Sequence, residues 1–139
     1  MVSCATLSAK IVSKGLDNMD FSMLPPQLRY EILSSVGELF FKKGNIRDSV
    51  RSFAIACNMD KLTEIGDWLM RQNRFEDAAQ FFIPTGARKI LEDIGFKCAE
   101  AENYALALRC FEAAGSAELV EFMYVNFMAD SKSGVEGCI

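Results

Sequence analysis

Histidine does not occur in this 139-residue chain. Its absence removes the side chain most often used as general base and as metal ligand. Cation clusters are missing as well. The 15 basic residues are scattered among 19 acidic ones, for a formal net charge of −4. Nucleic acid and anionic membranes are held by gathered Lys and Arg, so both are excluded as general partners. No apolar run approaches the ~20 residues that a membrane helix requires. Asn-Gly and Asp-Gly do not occur, and strict apolar–polar alternation is absent, so hairpins and sheets find no support. The five cysteines, Cys4, Cys57, Cys98, Cys110 and Cys138, form no Cys-x-x-Cys pair. A zinc site is therefore not expected, and Cys98 and Cys110 stand at apolar helix positions, where a thiol serves as a small hydrophobe. The N-terminus lacks a basic stretch followed by an apolar run, which points to a cytoplasmic protein with reduced thiols.

What is present is apolar spacing of helical period. Half of the residues are hydrophobic and 24% are charged, a composition that builds a core. Cys4, Leu7 and Ile11 mark a first helix that Gly15 ends. Pro25-Pro26 opens a second, with Leu28, Ile32, Leu33, Val36 and Phe40 along one stripe. Asn45, Asp60, Asn73 and Asn103 are the expected caps or starts of the following helices. A last helix is expected from Ala117 to Met128, with Leu119, Val120, Met123 and Phe127 on its apolar side. Residues 16–24 carry no clear pattern, and residues 131–139 read as a flexible Ser/Gly-rich tail.

These helices recur at a constant step in the numbering. Val36-Gly37 is followed by Ile65-Gly66 and then Ile94-Gly95, a period of 29. The same step links Ser49, Ala78 and Ala107, and links Phe53, Phe82 and Phe111. A fixed period in this range marks stacked supersecondary units. Each unit reads as two helices joined by a short turn, which forces them antiparallel. A glycine inside a helix costs ~1 kcal/mol relative to alanine. Three in register point to close helix approach, with Ser49, Ala78 and Ala107 expected opposite them and the phenylalanines reaching toward the next hairpin. The chain is thus expected to be all-α, one domain over 1–130. Its units are about 33–61, 62–90 and 91–115, between capping helices 4–15 and 117–128.

The order of these residues resembles the tetratricopeptide repeat. In the middle unit the matching positions are Leu62, Ile65, Gly66, Leu69, Phe75, Ala78, Phe82 and Thr85. In the first they are Leu33, Val36, Gly37, Phe40, Gly44, Ile46, Ser49, Phe53 and Ala56. In the third they are Leu91, Ile94, Gly95, Cys98, Tyr104, Ala107, Phe111 and Ala114. The period of 29 is shorter than that family's 34, and the closing proline is missing. The resemblance implies an α-α superhelix, or solenoid, whose first helices line a concave groove. It places Glu38, Phe41 and Lys42, then Asp67, Met70 and Arg71, then Phe96 and Glu100, against a partner segment. With Glu31, Ser34, Asp60, Thr63, Lys89, Glu92 and Ala99 in the same set, the groove leans acidic and suits a basic or amphipathic peptide.

Catalytic constellations are not found. No phosphate-binding loop is present, and carboxylate neighbours such as Glu64 with Asp67, or Glu100 with Glu102, fit a solvated helix face. The expected function is therefore an adaptor or assembly factor, not an enzyme, with no cofactor and no metal. Self-association into a scaffold through Phe122, Met123 and Phe127 is the alternative. Binding of a small ligand between helices is a third reading.

Overall fold

Proline suits the first turn of a helix, where its missing N–H has no intrahelical acceptor to serve. Pro25 and Pro26 accordingly open the long helix α2 (Pro26–Lys42), which follows α1 (Cys4–Lys14). The computed structural model describes residues 4–17 and 19–128. Among them every regular element is helical. After α2 come α3 (Ile46–Ala56), α4 (Met59–Arg71), α5 (Phe75–Phe82), α6 (Arg88–Glu100), α7 (Tyr104–Ala114) and α8 (Ala117–Met123). A 3₁₀ turn, Ile83–Thr85, extends α5, and a π-helical turn, Tyr124–Met128, extends α8. The expected tail over 131–139 lies outside the described residues.

The turns between helices are made by left-handed residues. Gly44, Asn73 and Glu102 follow α2, α4 and α6 with φ of 81°, 60° and 65°. Cys57, Gly86 and Gly115 follow α3, α5 and α7 with φ of 60°, 67° and 75°. Both series advance by the same interval as the patterned side chains. Gly15, at φ 91°, stands one further step before Gly44.

Capping agrees with the sequence in part. Asn45 accepts the Asp48 N–H at 3.1 Å, and Asn103 accepts the Leu106 N–H at 3.3 Å. Asn73, however, makes the left-handed turn, and Arg74 becomes the first flanking residue of α5 without a side-chain cap. Asp60 does not cap α4. Asn58 accepts the Lys61 N–H at 3.1 Å instead, and the helix begins at Met59. A buried amide next to the turn was the better-placed acceptor.

The chain forms two compact units, 1–65 and 66–139, with the boundary inside α4. In the first, α2 packs against α1 and α3 around Ile11, Leu16, Ile32, Leu33, Val36, Phe40 and Ala56. The unpatterned segment 19–24 adds Met19, Phe21 and Leu24 to the margin of this cluster without forming a helix. Leu28, expected on the buried stripe, is 38% exposed. In the second unit α6 packs against α5 and α7, and α7 against α8. Leu69, Phe81, Phe82, Leu91, Ile94, Cys98, Cys110 and Phe111 are all buried there.

The helical glycines face aromatic rings. A β-carbon built on Gly37 would lie 2.7 Å from the Phe53 ring. On Gly66 it would lie 2.6 Å from Phe82, and on Gly95 2.5 Å from Phe111. Each phenylalanine therefore packs on the glycine of the preceding helix, within its own helix pair. The expectation that these rings reach toward the following hairpin is replaced by this contact. Burying a Phe side chain contributes ~1.5–3 kcal/mol, which outweighs the ~1 kcal/mol propensity cost of the glycine beneath it. The small residues of the second helices are buried beside this contact, and Ser49 Oγ donates to the Gly37 carbonyl at 2.8 Å.

Candidate functional site

Most of the residues named for the groove lie at least partly in solvent. In the first unit Glu38 and Lys42 are exposed and Phe41 is half-buried. Lys61 Nζ lies 3.3 Å from Glu38 and 3.6 Å from Glu64, so Glu38 enters an ion-pair network that the sequence had not indicated. In the second unit Asp67, Arg71 and Glu100 are exposed and Met70 is half-buried. Phe96 is 49% exposed and its ring meets Phe111 edge-on, with centroids 5.3 Å apart. Phe96 is thus backed by the ring that covers Gly95, while about half of it is open to solvent. Trp68 is 42% exposed.

A second surface lies at the end of the helical chain. Phe122, Tyr124, Val125 and Phe127 are 52%, 39%, 66% and 36% exposed. Phe127 stacks on Tyr104 at 4.7 Å, and Phe122 sits 5.9 Å from Phe127. Met123, expected to share this face, is buried at 2%. The neighbouring depression, about 520 Å³, is lined by Glu112, Val120, Glu121 and Tyr124 among others.

Polar pairs fix the helix starts. Asn58 Nδ2 donates to Ser34 Oγ at 2.9 Å. Two periods later Ser116 Oγ donates to Glu92, which also takes Arg88 Nε at 3.3 Å. The hydroxyl of Ser116, followed by Arg88, holds the Glu92 carboxyl below the usual glutamate range. Glu92 and Ser34, implied as groove residues by the resemblance, are thus engaged with the next helix start. Asn103 Nδ2 donates to Glu76 in the same manner.

The sequence assigned Cys98 and Cys110 to apolar packing, and both are buried. Cys98 belongs to α6 and Cys110 to α7. Cys98 also contributes to the wall of a cavity of about 270 Å³ beside the start of α5. Among the described residues no group of three His, Cys, Asp or Glu is arranged to hold a metal ion, and no helix is long and apolar enough to cross a membrane.

Comparison with protein-family models, with curated proteins and with solved structures finds no match for this chain.

Proposed function

We propose that the protein is a protein–protein interaction module, an adaptor or assembly factor built of stacked helical hairpins in the manner of tetratricopeptide repeats. The observation that carries this reading is Phe96. The three phenylalanines of the repeating pattern are at most 1% exposed, whereas Phe96, outside that pattern, leaves half of its surface in solvent on α6. A rigid aromatic ring backed by a core residue is an anchor that costs little ordering on binding. The hairpin reading is supported by the left-handed turns, which recur at the period of the sequence, and by the glycine–phenylalanine contact in each pair. Exposed Glu100 and Asp67 would favour a basic or amphipathic segment. A cytoplasmic setting is part of the same proposal.

The test is capture of partners from lysate by the immobilised chain and by a Phe41→Ala/Phe96→Ala variant. Loss of the captured protein with an unchanged melt supports the groove. Unchanged capture with the fold intact overturns it.

Self-association is the second reading, favoured by the exposed aromatic surface of α8 and its π-turn. Light scattering decides it: a monomeric mass at high concentration removes it. Small-ligand binding in the depression near Tyr124 is the third, and thermal shift against metabolites tests it.

A further inference from the structure

The last helix keeps the register of the earlier first helices but is less covered. Counted on by the same period of 29, Leu91, Gly95 and Cys98 of α6 become Val120, Tyr124 and Phe127 of α8 and its π-turn. On α6 these positions pack against α7: Leu91 and Cys98 are at most 1% exposed, and Gly95 carries the Phe111 ring. On α8, Val120 is half-buried, and Tyr124 and Phe127 are 39% and 36% exposed. The depression of about 520 Å³ opens here, lined by Ala117, Val120 and Tyr124 of α8 and by Glu112 of α7. The following sequence does not carry the pattern of a covering helix: Asn103 and Ala107, the cap and a buried small residue of α7, become Lys132 and Glu136. A second feature marks the same face. Ser34 and Glu92 share one register position, and each accepts a hydrogen bond from the residue at the start of the next first helix, Ser34 from Asn58 and Glu92 from Ser116. Glu121 holds that position on α8, exposed and lining the depression. Among the described residues that line it, Glu112 and Glu121 are the charged ones, and both are acidic.

We propose that this face of α8 docks a basic amphipathic helix of a partner protein, which lies on α8 as α7 lies on α6 and brings a cation to Glu121 and Glu112. The occupant is a helix because helices cover the same positions of α2 and α6. Charge selects its flanks. Two carboxylates beside an apolar floor favour Lys or Arg at the edges of an apolar stripe. They disfavour a second copy of this chain, whose equivalent face brings the same two carboxylates. The stripe is small where it crosses Tyr124. At Gly95 the ring comes from the covering helix, whereas at position 124 the ring belongs to α8, so alanine or glycine takes the place of the incoming phenylalanine. The docking rests on the hairpin reading of the fold but uses none of the Phe96 surface, which the capture experiment with Phe41→Ala/Phe96→Ala tests separately.

The probe is a synthetic helix with Leu and Ala along one stripe and Lys on both flanks, added to the isotope-labelled full chain and followed by amide NMR shifts. Saturable shifts are expected at Val120, Tyr124 and Phe127, with Phe41 and Phe96 unmoved. The same helix with Glu on its flanks should produce none. Phenylalanine in place of the central alanine of the stripe should weaken binding about tenfold. Glu112→Lys/Glu121→Lys should weaken it to a similar degree, and both carboxylates are exposed, so the parent melt is kept. Equal binding of the Lys-flanked and Glu-flanked helices would overturn the proposal, as would the absence of any shift at α8. Shifts at Val120 and Tyr124 that grow with the concentration of the chain alone would give the face to a second copy. Shifts there from small metabolites, with none from the helix, would give it to a ligand. Either result also overturns the proposal, and the comparison of probes reads it on the unsubstituted chain.

Discussion

The Phe82 ring occupies the place where a side chain on Gly66 would begin: a β-carbon there would lie 2.6 Å from Cε2. The glycine is a steric requirement of the ring, and Leu69, one turn further along the helix, is fully buried beside it. Alanine at position 66 would gain ~1 kcal/mol of helix propensity and lose more through overpacking. Gly66→Ala is therefore expected to destabilise by ~1–2 kcal/mol net, measured by urea unfolding. Adding Phe82→Leu to Gly66→Ala should cost less than the sum of the two single changes. Additive costs would contradict the contact.

The opposite sign is expected at two left-handed turns. Cys57 and Glu102 hold φ of 60° and 65°, where a β-carbon is strained and the equivalent turns carry Gly86, Gly115 and Gly44. Cys57→Gly and Glu102→Gly should each stabilise by up to ~1 kcal/mol, the relief of strain exceeding the greater flexibility given to the unfolded chain. Thermal melts at one pH check both, and a lowered melting temperature would show that another contact holds these residues.

The helices, most of their ends and the buried stripe were legible because they follow from local chemistry: Pro25-Pro26 at a start, Asn45 and Asn103 at caps, Gly15 and Gly115 at stops. The direction of the phenylalanines was not, since spacing shows which face a residue shares and says nothing of which ring fills the gap above a glycine. The caps expected of Asn73 and Asp60 failed for a similar reason. At Asn73 both a left-handed turn and a cap are chemically open, and the turn geometry selects one. Phe96, named in the sequence for a partner-facing position, is half exposed, while Glu92 and Glu38 are engaged in local pairs.

Acid should loosen the end of the second unit at Glu92. The hydrogen bond from Ser116, with Arg88 behind it, lowers the folded-state pKa from the ordinary 4.5. A depressed folded pKa means that the stabilisation is complete above the unfolded-state value and is lost as pH falls through the folded one. Glu92→Gln should therefore lower stability at neutral pH and flatten the acid limb of the profile below about 4.5, so that variant and parent converge in acid. A titration of the Glu92 carboxyl by NMR reads the shift directly. A midpoint at or above the ordinary value would contradict the pairing.

Neighbouring residues near the end of α8 should respond in opposite ways. Met123 is 2% exposed, so Met123→Ala leaves a void and is expected to cost ~2–5 kcal/mol. Val125 is 66% exposed on the π-turn, and Val125→Ser should stay within ~0.5 kcal/mol of the parent. The contrast matters because both residues are apolar and lie two positions apart, so hydrophobicity along the sequence does not separate them. Light scattering on Val125→Ser adds the functional reading. If the α8 surface joins two copies, the mass falls to that of a monomer with the melt of the isolated chain retained. If Val125→Ser instead unfolds the protein, the aromatic surface belongs to the core, and the self-association reading loses its basis.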